Sequence, residues 1–203
     1  RGRLVLEAEF RREEALCGLK EFSHLWIVVL FNEVRKEEAR LAVRPPRLGG
    51  NEKLGVFATR SPFRPNRIGI SACRFHGFDR AGGDGPALVL SGVDLVDGTA
   101  VLDVKPYLPY ADLIPDAWSR VAPEAPERLP VRVSEEAKGT FSEISEEQRE
   151  VILETLSFDA RPAFHEKQER TYFLRIFDLD VAWEVKNGEC VLCGLRNLSD
   201  QAQ

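Results

Sequence analysis

Five arginines in one short segment are the residues of this chain best suited to chemistry with anions. Residues 44–71 read RPPRLGGNEKLGVFATRSPFRPNRIGIS, so that Arg44, Arg47, Arg60, Arg64 and Arg67 are interspersed with prolines and glycines. Proline stiffens the backbone, and the planar guanidinium group donates paired hydrogen bonds to carboxylates and phosphates. The segment therefore predicts an anion-binding loop. The alternative is a solvated loop between two strands.

The charge of this segment contrasts with that of the rest of the chain. Residues 35–74 contain ten basic and three acidic side chains, a local charge of +7, whereas the remaining residues carry −12. The total of −5 hides this separation. A polarised charge distribution attracts polyanions to one face of a protein.

Several motifs in and after the basic segment occur together and in order. GVFATRSPFRPN follows RPPRLGGN, and DGT at 97–99 and DVKPYLPYAD at 103–112 come later. With these motifs the chain resembles the TsaA-like family over residues 3 to about 118, and residues 158–183 resemble the extra domain of bacterial members. The resemblance implies an S-adenosyl-L-methionine-dependent methyltransferase. Its expected substrate is the exocyclic nitrogen of threonylcarbamoyl-adenosine beside the anticodon of tRNA, with threonine tRNA as the expected species.

The resemblance also assigns residues to the cofactor. The matching positions are Phe31, Asn32, Arg60, Ile70, Asp97, Gly98, Thr99 and Ala100. Read alone, residues 97–99 form an ordinary hairpin turn. Arg60 is suited to clamping a carboxylate through two parallel hydrogen bonds, and Ile70 to an apolar contact. Phe31 departs from the family, in which histidine is common at this position, and Arg67 stands where proline is common.

Asp103 is the candidate general base for methyl transfer. The presumed nucleophile is a nitrogen attached to a carbonyl group, so that its proton is easier to remove and a nearby carboxylate is suited to accept it. The alternative is a strand residue that forms an ion pair with Lys105, two positions away.

Contacts to the anticodon arm are expected from cationic, polar and aromatic residues. The candidates are Arg64, Asn66, Arg67, Lys105, Tyr107 and Tyr110. Arginines and aromatic rings are common in the recognition of single-stranded RNA, although tyrosines of this kind are more often packing residues. Two other functions stay open from the residues, a non-catalytic RNA-binding barrel and an S-adenosylmethionine-binding sensor. The resemblance further implies a homodimer with its site near the interface.

Short strands at regular spacing must position these residues. Strands are predicted over Arg3–Glu9, His24–Phe31, Leu54–Thr59, Ile68–Phe78, Ala87–Val93 and Ala100–Lys105, and His24–Phe31 is expected to be buried on both faces. Glu13–Lys20 predicts a helical turn, and Gly49-Gly50-Asn51 predicts a turn. The pattern indicates a mainly β chain with an antiparallel sheet, curled into a β-barrel. The barrel is expected to form a catalytic domain over residues 1–122.

Residues 128–203 predict a small C-terminal α+β domain, after a linker marked by prolines between 121 and 130. A helix is predicted to begin at Ser145 and a loop to span 157–168. Strands are predicted over Thr171–Phe177, Val181–Val185 and Glu189–Leu195, and the last two are joined by a turn at Lys186-Asn187-Gly188.

Composition excludes several classes of protein. The longest apolar run, Leu25–Phe31, has seven residues, whereas a membrane span needs about 20. Cys190-x-x-Cys193 has the spacing of a metal or redox half-site, but no second cysteine pair or nearby histidine supplies the other ligands. Free thiols are therefore expected, which fits a cytoplasmic protein. No leader sequence is recognised. A chain of 203 residues that starts at Arg1 and lacks methionine indicates a piece of a longer protein, and the resemblance implies a preceding strand and loop that help to hold the cofactor.

Overall fold

The computed structural model describes residues 1–45, 52–81, 85–125, 127–159, 161 and 170–198. Packing of the chain divides it into two units, of which the first comprises Arg1–Pro45 and Lys53–Trp118, and the second includes the chain from Ser119 onward. Arg47, the predicted turn at 49–51 and most of the predicted loop at 157–168 lie outside the described residues.

The first unit is built on a five-stranded sheet whose strands are β1 (Gly2–Val5), β2 (His24–Leu30), β5 (Ile68–Asp79), β6 (Ala87–Ser91) and β7 (Ala100–Pro106). The sheet is antiparallel, and its strand order is β1-β6-β5-β2-β7. A separate two-stranded sheet pairs β3 (Ala42–Val43) with β4 (Leu54–Gly55). Two short helices, α1 (Glu13–Leu16) and α2 (Pro109–Asp112), lie in the connections. The predicted antiparallel, mainly β architecture is confirmed for this unit.

The sheet is open among the described residues, in contrast to the predicted closed barrel. Strands β1 and β7 form its two edges and are not paired with each other. Register shifts at Val28/Val29 and Phe75/Gly77 mark bulges, which increase local twist and curl a sheet without joining its edges.

One face of this sheet forms the core of the unit, and the other face is left partly open. Leu25, Ile27 and Val29 alternate along β2 and are almost fully buried, together with Cys73 and Phe75 on β5. The intervening residues of β2 are only half-buried. The prediction that β2 is buried on both faces was therefore wrong, because an uninterrupted apolar run does not reveal whether a second layer covers the strand.

The predicted strand at Leu54–Thr59 was wrong over most of its length. Two residues pair as β4, and the chain then forms a 3₁₀ turn over Val56–Ala58. Thr59 closes this turn, since its backbone N–H and its hydroxyl both donate to the carbonyl of Val56, at 3.1 and 2.8 Å. The N-terminal strand also ends earlier than predicted, at Val5, and a 3₁₀ turn follows at Ala8–Phe10.

The second unit combines two helices with a four-stranded sheet of order β8-β11-β10-β9. Its elements are β8 (Val131–Val133), α3 (Glu135–Glu143), α4 (Glu146–Ser157), β9 (Tyr172–Ile176), β10 (Leu179–Lys186) and β11 (Glu189–Asn197). The β8–β11 pair is parallel, and the other pairs are antiparallel. No helix in the described part of the chain is both long and apolar enough to cross a membrane.

Local signals predicted several features of the second unit correctly. Ser145 caps α4 through a reciprocal capping box with Gln148, an arrangement that stabilises a helix by about 1 kcal/mol. The β10–β11 turn is made by Asn187 and Gly188, whose φ angles are 52° and 77°, as a two-residue hairpin turn requires. Helix α3 and strand β8 were not predicted. The core is centred on Trp183, whose indole ring stacks on Tyr172.

Gly69→Ala is expected to destabilise the first unit by about 1–3 kcal/mol through overpacking. A Cβ atom at Gly69 would lie 2.5 Å from Cζ of Phe31 and 2.9 Å from Cγ2 of Val29. Urea denaturation of the purified chain measures the change in the free energy of unfolding. Gly55→Ala is the matched control, because nothing lies within 4 Å of a Cβ atom at that position.

A double-mutant cycle tests whether the Phe31 ring is the obstacle. Removal of the ring by Phe31→Ala should lower the additional cost of Gly69→Ala, so that the two effects are not additive. Strict additivity would contradict the contact.

Candidate functional site

The end of β2 is tied to the turn at 97–100 by the side chain of Asn32. Its Nδ2 donates to the carbonyl of Gly98 at 3.5 Å, and its Oδ1 accepts from the backbone N–H of Ala100 at 3.2 Å. One amide group thus satisfies a donor and an acceptor of the same turn. Two of the residues assigned to the cofactor by resemblance are therefore direct partners of a third.

The turn itself presents an acidic side chain. The N–H and the hydroxyl of Thr99 both donate to the carbonyl of Val96, at 3.1 and 2.6 Å. Gly98 has a φ angle of +76°, which glycine adopts without strain. Asp97 is exposed and has no hydrogen bond or ion pair within the described ranges. Its carboxylate is consequently available to a ligand.

Phe31 and Arg67 join the basic segment to the same end of β2. The N–H of Phe31 donates to the carbonyl of Arg67 at 2.8 Å, and Nη1 of Arg67 donates to the carbonyl of Val34 at 2.7 Å. Arg67 adopts a positive φ of 53°, a conformation that proline cannot adopt because its ring fixes φ near −65°. Part of the guanidinium group of Arg67 therefore holds the loop in place.

The remaining arginines of the loop differ in how their side chains are used. Nη1 of Arg64 donates to the carbonyls of Thr59 and Ser61, at 3.0 and 3.4 Å, so this side chain braces the loop from within. Arg60 is exposed, and no hydrogen bond or ion pair engages it in the part of the chain that the structure describes. Asn66 is exposed as well. Arg60 is thus the arginine between β4 and β5 best placed to bind an external anion, and Arg44, which follows β3, is exposed as well.

Several candidate residues share the open face of the first sheet. Ile70, Val28 and Asp103 lie directly opposite one another on β5, β2 and β7, and Trp26 lies opposite Lys105 one row further along. Ala100 pairs with Leu30 on the same sheet. Because the N–H of Ala100 also binds Asn32, Ala100 connects the open face with the turn at 97–100.

Asp103 and Lys105 form an exposed ion pair, with 2.7 Å between Nζ and Oδ2. The hydrogen bond from Lys105, together with one from the N–H of Val104, holds the pKa of the Asp103 carboxyl below its usual range. A lowered pKa weakens a carboxylate as a proton acceptor. The alternative reading of Asp103 as a partner of Lys105 thus describes this structure, and a role as a base requires Lys105 to move away.

The two tyrosines occupy different environments. Tyr107 is half-buried and packs its ring against Trp26, with 5.6 Å between ring centres. Tyr110 lies on α2 and is 88% exposed. Asp112 fixes α2 to the sheet, since its Oδ2 accepts from Nε1 of Trp26 and from the N–H of Leu108, at 2.9 and 2.8 Å. Tyr110 is therefore the tyrosine that is free to stack on a base.

The structure brings the candidates into two linked groups. Asn32 and Phe31 gather the turn and the loop at the end of β2, whereas Ile70, Asp103 and Lys105 lie along the open face. Sequence reasoning missed the residues that hold these groups in place, namely Trp26, Val34, Thr59 and Asp112. Their bonding partners are distant or backbone groups, so that the sequence carries no signal for them.

The cysteines and histidines offer little to a metal ion. No group of three or more potential ligands is found among the described residues. Cys190 and Cys193 lie on β11 as free thiols, and burial raises the pKa of Cys190 to about 12. A thiol with so high a pKa is largely protonated at neutral pH and is a poor ligand or nucleophile.

Comparison with protein families gives two matches that together span most of the chain. Residues 1–113 match the model described as the tRNA-methyltransferase O N-terminal domain, and residues 126–198 match the TrmO C-terminal domain.

Individual relatives agree with these family matches. A tRNA (adenine(37)-N6)-methyltransferase of Escherichia coli is 40% identical over 190 residues, which cover 91% of this chain and 80% of that protein. A Pseudomonas aeruginosa protein whose name refers to S-adenosylmethionine-dependent methyltransferases is 47% identical, over 90% of this chain and 79% of its own length. A crystal structure of TrmO from P. aeruginosa superimposes with a TM-score of 0.76 at 36% identity, covering 97% of this chain and 83% of that one.

The ion pair makes a direct prediction for the titration of Asp103. NMR-monitored titration should give a carboxyl pKa below the ordinary value of about 3.9, and Lys105→Met should raise it, because the largest cause of the lowering is lost. In the unaltered chain, the ion pair stabilises the folded state at pH values above the ordinary pKa of aspartate. This contribution is lost as the pH falls through the lowered pKa of Asp103. An unchanged pKa in Lys105→Met would contradict the ion pair.

Proposed function

This chain belongs to the TrmO family, and from this premise we propose that it methylates N6 of adenine 37 in tRNA with S-adenosyl-L-methionine as the methyl donor. The observation that carries the proposal is the pair of hydrogen bonds from the Asn32 side chain to the turn at 97–100. They join the end of β2 to this turn, and the resemblance assigns both to the cofactor. A non-catalytic RNA-binding barrel and a cofactor sensor are not favoured, since the relatives from Escherichia coli and Eikenella corrodens, which match most of this chain, are named as enzymes.

The chemistry of the available groups fits the proposed donor. S-Adenosyl-L-methionine carries an ammonium group, ribose hydroxyls and a carboxylate. The exposed carboxylate of Asp97 suits the first two of these, and the guanidinium group of Arg60 suits the third through paired hydrogen bonds. Ile70 is 52% exposed on the sheet and offers an apolar contact. Phe31, Thr99, Gly98 and Ala100 are proposed to complete the binding site through the shape of the turn and of the end of β2.

Positioning is proposed to contribute most of the rate enhancement. When bound, S-adenosyl-L-methionine supplies an electrophilic methyl group on a sulfonium centre. Correct placement of the reacting groups contributes roughly 7–11 kcal/mol, whereas a general base adds about 10²–10⁴-fold, or roughly 3–5 kcal/mol. The role of this chain is therefore mainly to hold the target adenine and to exclude water. The hydrogen bond of Asn32 to Ala100 and that of Phe31 to Arg67 stabilise the segments that serve this role.

Asp103 is proposed as the group that accepts the proton from the target nitrogen. In the threonylcarbamoyl form of the substrate, the attached carbonyl makes that proton more acidic, which favours its transfer to a carboxylate. Lys105 leaves Asp103 free if it turns to an anion of the RNA, such as the threonyl carboxylate or a phosphate. The exposure of both side chains permits this exchange of partners.

The family resemblance also implies a specific substrate. Threonylcarbamoyl-adenosine of threonine tRNA is the proposed target, and the cytoplasm is the proposed location of the protein. Arg64, Asn66 and Arg67 are proposed to approach the anticodon arm from the basic loop, and Tyr107 and Tyr110 from the segment after β7. Residues 1–122 are proposed as the catalytic domain and 128–203 as the C-terminal domain.

A homodimer is proposed with its interface beside the candidate site, as the family resemblance implies. Large apolar side chains are exposed on β5 and β7 apart from the residues assigned to the cofactor, and burial in an interface would remove them from water. They include Ile68 and Leu102. Burial of apolar surface is the main favourable contribution to association of this kind. Multi-angle light scattering measures the molecular mass in solution, which should be that of two chains.

Incubation of the chain with tRNA and isotopically labelled S-adenosyl-L-methionine tests the proposed function. Mass analysis of the digested nucleosides should show the label on the adenosine beside the anticodon, in its threonylcarbamoyl form. A protein that binds tRNA but transfers no label would be a non-catalytic binder. Cofactor binding without any effect of tRNA would instead indicate a sensor.

Asp103→Asn is expected to slow methyl transfer by about 10²–10⁴-fold without weakening cofactor binding, because the side chain is proposed to move a proton and not to hold the donor. Single-turnover kinetics and calorimetric titration measure the two quantities. Unchanged turnover would remove Asp103 from the mechanism.

Arg60→Gln is expected to weaken binding of S-adenosyl-L-methionine by roughly 10- to 100-fold, the range for loss of a charge-assisted hydrogen bond. Arg12→Gln is the matched control, an exposed arginine of the same unit outside the basic segment. Equal affinities of the two variants would exclude Arg60 from the cofactor site.

A further inference from the structure

Phe57 is a large apolar side chain that the fold holds out into solvent within the basic segment. It is 78% exposed, whereas the adjacent Val56 is 2% exposed and anchors the 3₁₀ turn to which both belong. Thr59 closes this turn with two hydrogen bonds to Val56. The Phe57 ring is thus carried on a fixed backbone and not on a loose loop.

A second exposed apolar residue lies on the neighbouring segment. Leu41 is 94% exposed, and its carbonyl accepts a hydrogen bond from the N–H of Val56 at 3.0 Å. This hydrogen bond brings the segments that carry Leu41 and Phe57 next to each other. Leu41 and Phe57 are thus two exposed apolar side chains carried on adjoining segments.

Cationic groups lie close to this apolar pair. Cζ of Arg64 lies 6.0 Å from the centre of the Phe57 ring, and Arg60 follows in the same segment. Residues 53–70 contain four basic side chains and no acidic one. A partner that covers this surface must therefore combine flat apolar faces with negative charge, as unpaired nucleotides do.

We propose that Phe57 is a stacking platform for one unpaired base of the tRNA substrate, with Arg64 facing an adjoining phosphate. The proposal rests on the proposed function and gives a role to Phe57, a residue of the GVFATRSPFRPN motif to which the sequence analysis assigned none. Every base presents a π-face to an aromatic ring, so that this contact holds the loop without reading its sequence.

Hydrogen bonds connect the segment that carries Phe57 with the turn at 97–100. The N–H of Arg67 donates to the carbonyl of Arg64 at 3.2 Å, and the carbonyl of Arg67 accepts from the N–H of Phe31 at 2.8 Å. Asn32, the next residue, holds Gly98 and Ala100. A base held on Phe57 is therefore fixed relative to that turn, and Phe57 acts as a positioning residue.

The test uses an anticodon stem-loop RNA and the variant Phe57→Ala. Its affinity should fall by about 5- to 150-fold, the range for loss of one base–aromatic stack. The slope of log K against log salt concentration should stay unchanged, because an uncharged side chain releases no counterions. Affinity for S-adenosyl-L-methionine should also stay unchanged. Phe57→Trp should keep the RNA affinity of the unaltered chain, because tryptophan also offers an aromatic face. Phe10→Ala is the matched control, since Phe10 is an exposed phenylalanine on another 3₁₀ turn of the same unit.

The outcomes separate this proposal from the proposed function. If the unaltered chain neither binds nor methylates tRNA, the proposed function fails. If it does both and Phe57→Ala binds the RNA equally well, stacking is overturned while the function stands. A smaller salt slope in Phe57→Ala, or a change of its molecular mass in light scattering, would also overturn the proposal, in favour of an ionic contact or of a second copy of the chain.

Discussion

The two hydrogen bonds of the Asn32 side chain are the interaction on which the candidate site depends. An amide offers a donor and an acceptor together, and Asn32 uses them on the carbonyl of Gly98 and the N–H of Ala100. An aspartate could not donate to the carbonyl, and an aliphatic residue could satisfy neither group. With the Phe31–Arg67 backbone hydrogen bond, three segments distant in sequence converge at the end of one strand.

The two faces of the sheet in the first unit differ in what they carry, since one forms the core and the other holds candidate site residues. One face buries Leu25, Ile27 and Val29 in the core, and such burial is the main favourable contribution to folding. The opposite face carries Ile70, Asp103 and Lys105, which remain accessible. Because successive side chains of a strand point to opposite faces, the same strands can provide both.

The arginines between β4 and β5 are not all available to bind an anion. Arg64 and Arg67 direct part of their hydrogen-bonding capacity to backbone carbonyls, and so they stiffen the loop that carries them. Arg60 makes no such contact in the described part of the chain. Rigid display lowers the entropy lost on binding, so the bracing arginines would favour any ligand that the proposed site binds through Arg60.

The sequence by itself determined the strands of the first sheet, the Asn187-Gly188 turn, the helix cap at Ser145 and the excess of positive charge in one segment, because each depends on neighbouring residues. The open edges of that sheet, the 3₁₀ turn at Val56–Ala58 and the parallel pairing of β8 with β11 were decided by tertiary structure. So was the contact of Asn32 with Gly98, 66 residues away. Such contacts form only when packing brings distant groups together, and local preferences carry no information about which groups will meet.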